Sequence, residues 1–229
     1  MRKTRLFFSM ATLTFLAIGN VMAQPAATEN WQAGKNYFLI EPAQATHTGN
    51  KIEVTEVFSW GCPACNASYP FIDKIRKALP SNAEMDYVPA SFHPEEGWVL
   101  FQRTYYAAKA LGVEAKAHDA MFDAIWKTGE LATYANGRPK RDLPTINDVA
   151  KFFAKYGVKP ETFVATANSF AVNTKMRQAD AYVKATGVDQ TPTIIVNGKY
   201  RLTTVSAGGG WDKAQALVLY LVKKESAGG

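Results

Sequence analysis

Cysteine is nearly absent from this chain. Among 229 residues there are two, Cys62 and Cys65, and both fall in the run Trp60-Gly61-Cys62-Pro63-Ala64-Cys65. That scarcity excludes a framework of structural disulfides, so whatever the two thiols do, they do to each other. Histidine is scarce too. His47, His93 and His118 are the only three, none spaced with another as a ligand pair. A zinc site would need two more Cys or His ligands at suitable spacing. A c-type haem would need His after the second cysteine, where Asn66 stands. Neither a metal nor a cofactor is therefore expected. The chain also lacks internal repeats, low-complexity tracts and, beyond its first residues, any apolar run long enough to span a bilayer.

What is present begins with a secretory pattern. Arg2, Lys3 and Arg5 precede the apolar stretch 6–18, and Val21-Met22-Ala23 offers a small-residue cleavage site before Gln24. Residues 1–23 are expected to be a signal peptide rather than a membrane anchor, because Gly19 and Asn20 end the apolar run early. Removing its three cations leaves 23 basic against 20 acidic residues, a net charge of +3. The excess is scattered, with Arg138, Lys140 and Arg141 the densest patch, and reads as a solvated surface rather than a nucleic-acid footprint. The expected product is a soluble exported protein in an oxidising compartment.

Along the rest of the chain, residues 24–36 are polar and read as a loose lead-in. Residues 51–59 alternate with a period of two, placing Ile52, Val54, Glu56 and Phe58 on one face of a strand. A helix should follow from the cysteine pair, with Phe71, Ile72, Ile75 and Leu79 on one side, stopped by Pro80. Residues 85–92 read as a second strand, parallel to the first. From Pro94 the pattern changes to helices, closed by Gly112, Gly129 and Gly157, and one or two more span residues 161–186. Strand character returns at residues 192–196. Asn197-Gly198 then gives a hairpin signal before Tyr200-Arg201-Leu202, and a helix over 211–224 ends the pattern. The layout is βαβ, a helical insertion, then ββα.

The cysteine spacing suits a reversible disulfide at a helix start. Cys62, at the N-terminus, gains free backbone N–H groups and the helix dipole, which favour its thiolate. Pro63 follows where a missing N–H costs little. Cys65, one turn further in, is the expected resolving thiol and leaving group. A purely structural bond is the weaker alternative, because so small a loop gains little from closure. Glu56 shares its strand face with apolar residues, so its carboxyl should sit in the core beneath the cysteines. Burial would raise its pKa and let it exchange a proton with a thiol. His93 reads as a loop cap and His118 as a surface residue. The aromatic faces of the inserted helices read most simply as a core, with an exposed substrate groove at Trp98 and Phe101 the alternative.

Thr55-Glu56-Val57-Phe58-Ser59-Trp60-Gly61-Cys62-Pro63-Ala64-Cys65, with Pro70 five residues on, resembles the thioredoxin superfamily. So does Thr191-Pro192-Thr193 followed by Val196-Asn197-Gly198-Lys199-Tyr200. The helical insertion, the signal-like start and Gly187-Val188 narrow the resemblance to periplasmic thiol:disulfide interchange proteins of the DsbA type. The resemblance implies an α/β protein: a thioredoxin fold, residues 24–93 and 169–229, with an inserted all-helical domain at 94–168. It implies a dithiol oxidase acting on unfolded or folding exported proteins with free cysteines, and reoxidation by a membrane quinone-linked partner. It implies a cis Thr191–Pro192 bond facing Cys62, with Pro63, Ala64, Thr191 and Pro192 as the substrate-binding residues, and it supports an acid at Glu56 serving the buried thiol. Two positions depart from the family's oxidases. Ala64 stands where His is usual, and Thr191 stands where Val is common and Thr occurs in related isomerases. An isomerase or reductase on the same fold is thus a rival, and a chaperone-like binding module with incidental thiols is another. Ala64 is expected to make this a milder oxidant than relatives with His there.

Overall fold

The strand expected over residues 51–59 forms as β2 (Ile52–Phe58) in the computed structural model, which describes residues 30–228. The signal-like segment lies outside the described residues. β2 is an inner strand of a five-stranded sheet. β3 (Ala83–Pro89) lies parallel to it on one side, and β6 (Thr193–Val196) antiparallel on the other. β7 (Tyr200–Leu202) pairs with β6, and β1 (Phe38–Leu39) pairs with β7, in the order β1-β7-β6-β2-β3. Asn197 and Gly198 take positive φ, 51° and 63°, as the tight β6–β7 turn requires.

β3 begins and ends earlier than the apolar pattern suggested. The Ile52 N–H already donates to the Asn82 carbonyl, so pairing starts as soon as the chain leaves the helix stop. At its far end the Ala90 N–H donates to the Phe58 carbonyl, and the chain then turns into a short 3-10 segment, Pro94–Glu96.

Helices cover both faces of the sheet. α1 (Pro63–Ala78) and α7 (Trp211–Ala227) lie on one face, where Ile72, Ile75, Leu217 and Leu221 pack against Val54, Ile194 and Val196. Of the remaining helices, α2 (Trp98–Ala110) and α6 (Phe170–Ala185) pack against β3, α3 (Glu114–Trp126) packs against α1 and α2, and α4 (Ile146–Phe153) and α5 (Pro160–Ala167) pack against α2 and each other. Their aromatic stripes share one core with Val57, Phe58, Trp60 and both cysteines. β2 is consequently buried on both sides, as an inner strand between two helical layers must be. From Trp31 onward the chain packs as one unit.

Several residues sit elsewhere than expected. From Trp31 onward the lead-in is anchored: Trp31 packs on the core beside buried Tyr37, and the Asn36 amide donates to the Ser206 carbonyl over 3.2 Å. His118 is not a surface residue. Its side chain is 12% exposed, packs among Phe58, Trp60, Tyr87 and Phe122, and pairs with Glu114 at 2.7 Å. Ala-rich neighbours disguised it, because small residues let the helix approach the sheet. Trp98 and Phe101 line no exposed groove. They are 4% and 1% exposed. A small antiparallel hairpin, β4 (Tyr134–Ala135) and β5 (Arg138–Pro139), interrupts the helices and was not expected. Asn136-Gly137 at its tip, both at positive φ, is the turn signal that marks it.

Candidate active site

The cysteine pair sits where β2 hands over to α1. Ser59 shapes that turn. Its hydroxyl accepts the Gly61 N–H over 3.2 Å, and its carbonyl accepts the Cys62 N–H over 3.0 Å. Gly61 leaves room for the ring beneath it, since a Cβ there would lie 2.9 Å from Trp98 Cδ1. The Trp60 carbonyl accepts the Trp126 indole N–H over 2.8 Å, and the Trp60 indole donates to the His118 carbonyl over 3.2 Å. The loop is thus pinned to α3 at two points.

Cys62 is the N-cap of α1, with φ −84° and ψ 119°. Its Sγ takes the role that a Ser or Asp oxygen usually plays, accepting the Cys65 N–H over 3.2 Å. On its other side the Cys62 Sγ lies 3.6 Å from the Thr191 carbonyl, to which the thiol donates. The Thr191–Pro192 bond is cis, and the loop that carries it leads into β6.

Both cysteines are free thiols, and their environments pull their acidities apart. The Cys62 pKa falls to about 6. The Cys65 thiol beside it is the largest cause, burial opposes, and Thr191 and the N–H groups of Cys65 and Ala64 add to the lowering. Cys65 is fully buried, and its thiol is pushed well above the ordinary range, first by burial and then by Cys62 and Glu56. Glu56 lies in mid-β2, opposite Tyr87 on β3 and Ile194 on β6, and is 3% exposed. Its pKa is raised to about 8, chiefly by burial and further by negative charge at Cys62. A neutral acid therefore sits within electrostatic reach of both sulfurs. Such a set can stabilise one thiolate, hold the other as a thiol and move a proton between them.

The structure brings Cys62, Cys65, Glu56, Thr191 and Pro192 together, with Pro63 and Ala64 exposed on the first turn of α1. It adds Ser59, Trp60, His118 and Trp126, which spacing alone did not single out. Neither cysteine joins a metal-ligating group. The two clusters of possible ligands among the described residues, His47 with Glu53 and Asp86, and His93 with Glu95 and Glu96, stand apart from the pair. The larger cavity, about 510 Å3, lies along β3 between Tyr87, Tyr106 and Tyr182 and touches none of the site residues. An open recess of about 390 Å3 adjoins the pair through Pro63.

Comparison with known proteins agrees with this geometry. Residues 53–219 match the model of the DSBA-like thioredoxin domain. The thiol:disulfide interchange protein DsbA of Pseudomonas aeruginosa is 35% identical over 213 residues, spanning 93% of this chain and 94% of the relative. That of Pseudomonas syringae pv. tomato is 36% identical over 217 residues, spanning 95% and 94%. The crystal structure of Pseudomonas aeruginosa DsbA superposes with a TM-score of 0.74 at 34% identity, covering 88% of this chain and 97% of that one. The oxidoreductase DsbA from Xylella fastidiosa gives 0.72 at 33% identity, covering 83% and 95%. With a helix-capping cysteine pair at the end of β2 and relatives matched over almost their whole length, this chain belongs to the DSBA-like thioredoxin family.

Proposed function

We propose that this chain is a thiol:disulfide oxidoreductase that introduces disulfide bonds into exported proteins through its Cys-Pro-Ala-Cys site. The observation that carries the reading is the asymmetry of the two thiols: Cys62, which at 4% exposure is itself buried rather than exposed as its place at the helix start suggests, caps α1 and is held near pKa 6, whereas Cys65 is fully buried and held protonated. A stabilised Cys62 thiolate favours the reduced pair and so makes the disulfide a ready electron acceptor. The reduction potential of the pair separates an oxidase from an isomerase or reductase on the same fold.

In the oxidised protein a substrate thiolate attacks Cys62 Sγ. The Cys62–Cys65 bond breaks, its electron pair leaves on Cys65, and a mixed disulfide joins substrate to Cys62. Cys65 then takes a proton. Glu56, neutral below about pH 8, is the nearest acid to supply it. A second substrate thiolate attacks the substrate sulfur of the mixed disulfide, and Cys62 departs as a thiolate. The substrate loses two electrons and gains a disulfide, and the pair ends as a dithiol. Pro63, Ala64, Thr191 and Pro192 frame the substrate, with Thr191 offering backbone groups to an extended chain.

The thiol pair must then be reoxidised, and a membrane quinone-linked partner fits that need. The periplasm is the compartment in which such a cycle runs, and the signal-like residues 1–23 agree with it. The catalytic elements fall in a thioredoxin-like domain, 24–93 with 169–229, and residues 94–168 form a helical insertion. The cycle requires no cofactor or metal, and no nucleic acid takes part in it. Among the described residues no helix is long and apolar enough to cross a membrane.

Alkylation of the reduced protein tests the assignment. Cys62 should react far faster than Cys65 at neutral pH, with a rate midpoint near pH 6. A Cys62→Ser variant should lose all exchange. Equal alkylation rates, or activity surviving in the variant, would refute the mechanism and favour a binding module.

A further inference from the structure

The β4–β5 hairpin is not needed for the exchange chemistry, yet it stands beside the nucleophile. The recess of about 390 Å3 is lined by Pro63, Trp126, Tyr134, Ala135, Asn136 and Gly137. Pro63 follows Cys62 directly, so anything bonded to Cys62 Sγ passes the mouth of this recess. One wall is a stacked aromatic pair, Trp126 on Tyr134 with centroids 5.9 Å apart and planes 24° apart. Trp126 is fixed in turn by its hydrogen bond to the Trp60 carbonyl. A second wall comes from the hairpin turn, whose Ala135, Asn136 and Gly137 are exposed and present little side-chain bulk. The volume falls in the range of small ligand pockets, ~300–1,000 Å3.

From this geometry we infer that the recess is a substrate subsite. It receives an aromatic or large aliphatic side chain flanking the reacting cysteine of an extended substrate. The occupant follows from continuity with the sulfur. A substrate backbone paired at Thr191 covers one side of Cys62, and the side chain next along the peptide meets Pro63 and the Trp126–Tyr134 pair on the other. Tyr134 lies within electrostatic reach of Cys62: its hydroxyl is pushed up to about 12 by burial first, then by Glu96, with Glu95 and Cys62 adding. The return strand carries Arg138, and Lys140 and Arg141 follow it, all exposed and in no ion pair among the described residues. The inference rests on the exchange mechanism proposed above.

The test uses oxidised protein and a set of single-cysteine peptides with Phe or Ala at each of the four positions flanking Cys, with glutathione as the small thiol. Rapid mixing, with Trp fluorescence as the signal, gives the second-order rate of mixed-disulfide formation. The expected result is a Phe-over-Ala preference of about tenfold at one position, the size of discrimination that a pocket of this kind provides. Tyr134→Ala should bring that ratio close to one, and so should Ala135→Trp, which fills the recess instead of emptying it. A parent protein without positional preference, or variants that keep it, would overturn the subsite while glutathione exchange left the oxidoreductase reading standing. Failure to exchange with glutathione as well would remove both.

Discussion

A thiolate is stable where donors face it, and at Cys62 these are the Cys65 thiol, Thr191 and two backbone N–H groups. The Cys65 and Ala64 N–H groups point at the sulfur because Cys62 caps α1, while the Ala64 side chain brings neither charge nor donor. Ala64→His would add a cation beside the pair. The half-point of Cys62 alkylation should then fall by up to about one pH unit, and the potential should become more oxidising by about 30 mV. If redox titration against glutathione and the alkylation profile both stay put, Thr191 and the backbone are the tuning elements. Glu56 makes a separate prediction. As a carboxyl with a pKa near 8 it donates a proton below that value and loses the ability above it. The parent pH–rate profile should carry a step near pH 8. Glu56→Gln should slow exchange across the range and remove that step while the fold persists. Superimposable profiles would show that the proton comes from elsewhere.

At the scale of elements, the reactivity of Cys62 depends on how tightly the β2–α1 turn is held, and Gly61 is the place to test it. Trp98 and Phe101 lie against it and are buried, so they have no room to yield to a methyl group. Gly61→Ala should destabilise the protein by about 1–3 kcal/mol, as overpacking does. It should also shift the Cys62 pKa upward by displacing the sulfur from its N–H donors. Denaturant melts and the alkylation profile measure the two effects. The same elements explain what could be read from sequence. β2, α1 and the β6–β7 hairpin were legible because each carries a local signal: alternation, a Pro at the first helical position, an Asn-Gly turn. The joining of Cys62 to Thr191, 129 residues apart, was legible only through family resemblance. β1, with two residues, is too short to produce periodicity. The β4–β5 hairpin did carry its Asn136-Gly137 signal, but it lies among helical patterns and its strands are two residues each. His118 was misplaced because helical surroundings rich in Ala do not reveal which face meets the sheet.

For the molecule as a whole, the two shifted acids near the sulfurs tie stability to pH in opposite senses. Glu56 has a folded pKa of about 8 against an ordinary 4.5, so the folded state binds the extra proton between those values. In the reduced protein its contribution is present below 4.5 and fades as the pH rises through 8; in the oxidised protein burial still raises the carboxyl, but without the added push of a Cys62 thiolate. Cys62 behaves the other way. Its folded pKa of about 6 lies below an ordinary 9, so its contribution is complete above pH 9 and is lost as the pH falls through 6. Only the reduced protein has that thiol. The stability of the reduced form relative to the oxidised form should therefore grow from pH 6 to pH 9. At about 1.4 kcal/mol per pH unit, the span from 9 to 6 amounts to about 4 kcal/mol at most. Paired denaturant titrations of the two redox forms at pH 5, 7 and 9 measure the difference directly. Neither single-cysteine variant can form the disulfide, so each is compared with the reduced parent: Cys62→Ser should lack the rise in stability between pH 6 and 9, and Cys65→Ser should keep a weaker one, because the backbone N–H donors remain when the Cys65 thiol is gone. A difference that stays flat across this range would mean that the Cys62 thiolate is not what sets the redox poise of the fold.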